Sequence, residues 1–196
     1  MGNNFVFKEV ILDDKELKSI RDYILKNENG VKQLGPDTYM GTSDNSLTGR
    51  HRWFNWLYHD TIGDILIPKI RNIFEKIDIE YPIGVQCWAN TFRRGEGISK
   101  HHHGDWKFLC SNLFIDGPED VGTYYYVDKS WKKYISTPGE LTIFNSQLKH
   151  YVPKNETDDI RISMAMDIYP SGEWKAKDAW DEIEDNERRY MILNDE

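Results

Sequence analysis

The chain has 196 residues, 39% of them hydrophobic and 13% aromatic, with a formal net charge of −8. That length supports one domain with a sizeable core, and 7 Trp, 11 Tyr and 8 Phe offer too much burial area for broad disorder. The charge argues against a basic stripe of the kind a nucleic-acid backbone requires, and no apolar run approaches the ~20 residues of a membrane span.

The charge is uneven. Nine acidic and four basic residues fall between Glu173 and Glu196, so this tail carries −5 and the rest −3. The first residues, MGNNFVFKEV, lack a basic region followed by an apolar stretch, so no secretory signal is expected. Val6 stands where a myristoylation signal would need Ser or Thr. Cys87 and Cys110 sit in apolar, strand-like contexts and read as reduced core thiols. The expectation is a cytoplasmic protein.

Asp13 to Lys26 reads as an amphipathic helix, capped by Asp13 or Asp14, with Leu17, Ile20, Ile24 and Leu25 as its apolar stripe. Residues 35–52 have loop composition and end in the patch Arg50-His51-Arg52-Trp53. A second helix is predicted from about Thr61 to Lys76, with Pro68 inside it expected to kink or split it. After Pro82 short β-type runs follow one another: GVQCWANTF, FLCSNLFI, GTYYYV, ELTIF and RISMAMDIY. Helices followed by closely spaced strands predict a β-sandwich or small barrel flanked by helices. Beyond Pro170 the acidic tail reads as a short helix through Trp180 and Ile183 or as loose chain.

The segment KHHHGDW, residues 100–106, carries the chemistry. Alternate side chains of an extended chain share a face, so His103 with Asp105, or His101 with His103, can bind one ion while His102 faces away. His150, after ELTIF, is the natural distal ligand. Two histidines and a carboxylate on one face leave coordination positions open, as non-haem Fe(II) oxygenases require. Arg161 and Ser163 share one face of RISMAMDIY, and a guanidinium fork beside a hydroxyl suits the distal carboxylate of 2-oxoglutarate.

Taken together these residues resemble the 2-oxoglutarate/Fe(II)-dependent oxygenase superfamily. Between Trp88 and about Ile168 the chain is similar to short oxygenases of that superfamily. The matching pieces are Trp88-Ala89-Asn90, Gly95, the histidine cluster, Ser111-Asn112, Gly139-Glu140-Leu141 with Phe144, His150-Tyr151-Val152-Pro153 and Arg161-Ile162-Ser163. Asn112 stands where that group has Gly. The resemblance covers less than half the chain and is most specific from His150 to Ser163.

The group's His-x-His has two counterparts here. Counting forward from Gly95 gives His101 and His103; counting back from Ser111 gives His103 and Asp105. We place the difference in the Gly95-Glu96-Gly97 turn, because turns accept insertions better than strand registers do. His103, Asp105 and His150 are then the preferred ligands, with His101 as the alternative to Asp105.

The resemblance implies a mainly β fold with flanking α: a double-stranded β-helix (jelly-roll, cupin-like) core packed against N-terminal helices. Residues 1–80 would give helical support, 81–170 the core and 171–196 an acidic tail, all in one oxygenase domain. The cofactor implied is Fe(II), and the co-substrates are 2-oxoglutarate and dioxygen. Hydroxylation of an unidentified peptidyl or small-molecule substrate would release succinate and carbon dioxide.

Two other classes compete. One is a cupin-type oxygenase with a three-histidine site (His101, His103, His150) and no need of 2-oxoglutarate. The other is a catalytically silent binding module. Trp88 and Trp106 read as core or pocket-wall aromatics, and Tyr124 to Tyr126 as alternating core and surface residues. Arg50, Arg52, Arg93 and Arg94 read as solvated loop charge before they read as substrate-binding groups.

Overall fold

The structure of the protein, a computed structural model, describes residues 5–35, 47, 51, 54–104, 109–169 and 190–194. Asp13 opens the first helix, α1 (Asp14–Lys32), with a reciprocal cap. Its side chain accepts from the Glu16 amide at 2.8 Å, and the Glu16 side chain accepts from the Asp13 amide at 3.0 Å. Two of the donors that a helix start leaves open are satisfied this way. The helix runs on past Lys26 because Glu28 and Val31 continue the buried stripe of Ile20 and Ile24. A short 3-10 turn at Trp56–Tyr58 leads into α2 (Asp60–Lys76). Pro68 does not split α2. Leu66 and Ile70 on either side of it are fully buried and tie both halves to one core, which outweighs the lost backbone hydrogen bond.

Ten strands are described. They are β1 (Phe5–Val10), β2 (Ile83–Phe92), β3 (Ile98–His101), β4 (Leu109–Asp116), β5 (Gly122–Val127), β6 (Ser130–Ile135), β7 (Glu140–Asn145), β8 (His150–Val152), β9 (Arg161–Tyr169) and β10 (Met191–Leu193). A larger sheet has the order β1-β7-β4-β9-β2-β10 and a smaller one the order β3-β8-β5-β6. Every named strand pair is antiparallel. The chain thus passes back and forth between two sheets, as the expected double-stranded β-helix does, with β1 and β10 added at the edges of the larger sheet.

The larger sheet has two unlike faces. In β9, Ile162, Met164, Met166 and Ile168 share the main hydrophobic cluster with Ile20 and Ile24 of α1 and Leu66, Ile70 and Phe74 of α2. Arg161, Ser163 and Asp167 alternate to the opposite face, between the sheets, and all three are buried. That inner space also holds a smaller apolar cluster of Cys110, Tyr125, Phe144 and Leu148. Both cysteines are free and buried, as expected. Tyr125 is buried while Tyr126 is exposed, which is the alternation expected of that run.

Among the described residues no helix is long and apolar enough to cross a membrane. Asp105, Arg50, Arg52, Trp53, Trp106 and the acidic segment through Trp180 and Ile183 lie outside the described residues.

Candidate metal centre and anion pocket

The ladder between β3 and β8 brings two histidines face to face. His101 pairs with His150, and their ring centroids lie 4.2 Å apart. A register shift between Ile98 and His101 puts one more residue on β3 than on β8, so that His101 rather than Lys100 comes opposite His150. The approach of the strands also depends on Gly97, since a Cβ there would meet the Val152 carbonyl oxygen at 2.7 Å and the Pro153 carbonyl oxygen at 2.8 Å. His103 follows in the loop, pinned by its amide to the Ser146 carbonyl at 2.9 Å. Its ring lies 5.3 Å from each of the other two. One ring nitrogen from each of the three lies within 4.8 Å of the others, close enough for one ion to draw together.

The hydrogen bonds at the backs of these rings decide which nitrogen can bind. Nδ1 of His101 lies 2.8 Å from the Ser99 carbonyl, Nδ1 of His150 lies 2.8 Å from the Leu148 carbonyl, and Nδ1 of His103 lies 2.8 Å from Asp167 Oδ1. All three partners accept and do not donate, so Nδ1 carries the proton in each ring and Nε2 keeps the lone pair. Burial, with repulsion from His101 and His103, pushes the His150 imidazolium well below its ordinary range and keeps the ring neutral. A neutral imidazole oriented through its other nitrogen is the state a metal needs.

Arg161 makes the second half of the site. It is 2% exposed, and burial pulls it down to about 10, so it remains a cation at neutral pH. Its Nη2 donates to Thr123 Oγ1 at 3.3 Å, while Nε and Nη1 have no partner among the described residues. The rings of Phe92 and Phe114 lie 5.6 and 5.7 Å from the guanidinium carbon. Tyr125, whose phenol burial pushes up, completes the surroundings. An unpaired buried cation costs several kcal/mol unless an anion meets it. Gly117 makes room for the stem, because a Cβ there would press on Cβ and Cγ of Arg161 at 3.3 Å. Ser163 is buried on the same face of β9.

The structure therefore brings together His103 and His150, with Arg161 and Ser163 on one strand face. It adds His101, and Asp105 lies outside the described residues. His102 is exposed, as expected. Trp88 stacks near His103 at 6.0 Å, a pocket-wall position. Arg93 and Arg94 hold Glu28 and Asp158 in ion pairs. Asp167 was missed from the sequence, although its even spacing from Arg161 places it on the same strand face.

No family model matches the chain, and no curated protein matches it in sequence. Solved structures match it in shape. A prolyl hydroxylase from Trichoplax adhaerens, in complex with a hypoxia inducible factor peptide fragment, is 12% identical with a TM-score of 0.66, covering 90% of this chain and 88% of that one. The viral collagen prolyl hydroxylase of Paramecium bursaria Chlorella virus-1, a 2-oxoglutarate complex, is 15% identical with a TM-score of 0.62, covering 86% and 97%. HygX from Streptomyces hygroscopicus, with nickel and 2-oxoglutarate bound, is 10% identical with a TM-score of 0.63, covering 86% and 83%. At these identities the likeness establishes the fold.

Proposed function

We propose that the protein is an Fe(II)- and 2-oxoglutarate-dependent oxygenase that hydroxylates a peptidyl or small-molecule substrate, consuming dioxygen and releasing succinate and carbon dioxide. The observation that carries this reading is Arg161: a fully buried cation with two donor nitrogens unpartnered among the described residues, on the same inner strand face as Asp167, which supports His103. A keto-acid dianion fits both halves, with its distal carboxylate on the Arg161 fork beside Ser163 and its keto-acid end at the histidines.

Among the described residues, His101, His103 and His150 are those that would hold the ion, since their back hydrogen bonds leave the Nε2 atoms as acceptors, and Asp105 stays the candidate carboxylate ligand. When bound, Fe(II) supplies the one-electron chemistry that activates dioxygen, which no side chain here can do. Thr123 and Tyr125 line the pocket around Arg161, and the Phe92 and Phe114 rings exclude water from it. The fold shared with the two prolyl hydroxylases makes a peptidyl substrate the nearer precedent.

A second reading has a specific observation in its favour. The described cluster is all histidine, as in cupin-type oxygenases that do not use 2-oxoglutarate. Arg161 weighs against it, because such an enzyme has no use for a buried guanidinium that meets no anion among the described residues. The deciding experiment loads the protein anaerobically with Fe(II), adds 2-oxoglutarate and records the visible charge-transfer band. A band that vanishes in Arg161→Ala is expected. Iron binding with no band on adding 2-oxoglutarate would favour the second reading.

A further inference from the structure

His101 stands on a short, irregular strand. β3 has four residues, none of them buried, and lies at the edge of the smaller sheet. It aligns with β8 where Ile98 meets Val152 and His101 meets His150, with an irregularity between them. Edge segments with few buried contacts are among the first to open in a native protein. Lys100 points to the outer face of this sheet, away from the side on which His101 meets His150. Its Nζ lies 5.0 Å from the centre of the Trp131 ring on β6 and 5.6 Å from that of Tyr151 on β8. Those two rings meet edge to face at 4.9 Å, and Tyr151 stacks on Tyr124 of β5 at 4.8 Å. One ammonium thus ties the edge strand to aromatic side chains carried by β5, β6 and β8. The four strands contain no Asp or Glu, so no carboxylate of the sheet competes with the rings for it. Lys100 precedes His101 and Tyr151 follows His150, so the outer contact sits directly behind the inner histidine pair.

We infer that Lys100 is a positioning residue for the metal centre: a cation–π clasp on the outer face that keeps β3 in place, so that His101 already faces His150 when the ion arrives. This rests on the reading of His101 as a metal ligand. Without the clasp β3 frays, and its ordering has to accompany metal binding. The apparent affinity then falls by the fraction of molecules in which the strand is in place. One such contact at an exposed site biases an equilibrium about two- to fivefold, so the two rings together bias it roughly 5–30-fold. Simple repulsion acts in the opposite direction. Removing a positive charge beside a bound dication would favour binding, so the sign of the change separates the two effects.

The test titrates Co(II) alone into the full-length wild type, Lys100→Met and Lys100→Arg by calorimetry, and follows amide hydrogen exchange of β3 with and without the metal. Lys100→Met keeps the apolar stem and loses the charge, whereas Lys100→Arg keeps a cation over the rings. Lys100→Met is expected to bind roughly 5–30-fold more weakly. Its β3 amides should exchange faster in the metal-free protein and regain wild-type protection when Co(II) saturates the site. Lys100→Arg should restore both affinity and protection. Equal or tighter binding by Lys100→Met, or a Lys100→Arg as weak as Lys100→Met, would overturn the inference while leaving the metal reading intact. A wild type that does not bind Co(II) would overturn the metal reading itself. Exchange in the metal-free proteins then still decides whether Lys100 holds the strand: faster exchange in Lys100→Met supports the clasp, and equal exchange overturns it.

Discussion

His101 and His150 face each other across a two-strand ladder, ring centroids 4.2 Å apart, although they are far apart in the chain. Each ring is tied to a backbone carbonyl two residues before it, at Ser99 and Leu148. The pair is therefore held by the main chain of both strands. We expect His101→Ala to lower Co(II) affinity by more than the ~100-fold that loss of an outer hydrogen-bond partner costs. Asp105→Ala should retain binding. Calorimetric titration checks both; the reverse pattern would make Asp105 the third ligand in place of His101.

Arg161 should stabilise the protein only when its anion is present. Replacing this buried cation, which meets no anion among the described residues, with an apolar side chain of similar length relieves a desolvation cost. Arg161→Met is accordingly expected to raise the stability of the ligand-free protein by about 1–3 kcal/mol in urea denaturation while abolishing 2-oxoglutarate binding. Arg161→Lys keeps charge but loses the fork, so it should bind more weakly than wild type. A destabilised Arg161→Met would mean that the guanidinium already has its anion in the ligand-free fold.

Gly97 sets the spacing of the metal ladder. A methyl group there meets backbone oxygens at 2.7 and 2.8 Å, and neither can move without moving β8. Gly97→Ala is expected to cost about 1–3 kcal/mol in stability and to weaken metal binding, since overpacking displaces the backbone. Unchanged metal affinity in a folded Gly97→Ala would show that the histidine pair tolerates strand separation.

Glu28 makes the fold sensitive to acid at one buried point. Burial pushes its carboxyl up, but hydrogen bonds from Arg93, Lys32 and Thr91 outweigh this and bring it down to about 2 from an ordinary 4.5. Arg93 grips both oxygens, at 2.8 and 2.9 Å. Because the folded-state value is the lower one, the stabilisation is complete above about 4.5 and is lost as pH falls from there towards about 2. Glu28→Gln should cost about 3 kcal/mol at neutral pH and flatten the stability profile over that acid window. Denaturant melts at pH 7 and pH 3 measure both effects.

The parts of the site written in strand alternation were legible in the sequence. Arg161 and Ser163 stand out because a cation opens an apolar strand, and His150 follows the apolar run of β7. That His101 comes opposite His150 was not legible, because it depends on where β3 ends and on a one-residue irregularity between Ile98 and His101 that no composition signals. β1, β3, β6, β8 and β10 were missed for a different reason. They are short or polar, all but β8 lie at a sheet edge, and the alternation of SWKKYI does not distinguish it from loop. Leu66 and Ile70 show why Pro68 does not split α2: tertiary burial on both sides of it overrides a local preference.

The alternation of β9 has a consequence for folding fidelity. Sliding this strand by one residue against β2 and β4 would turn Arg161 and Asp167 into the helix-facing core and drive Ile162 and Met166 into the pocket. Both halves of the site would be lost together, and two charged groups would be stranded in hydrocarbon. A misregistered chain is therefore penalised by the same side chains that equip the correct one, so the pocket chemistry acts as a proof-reader of strand alignment.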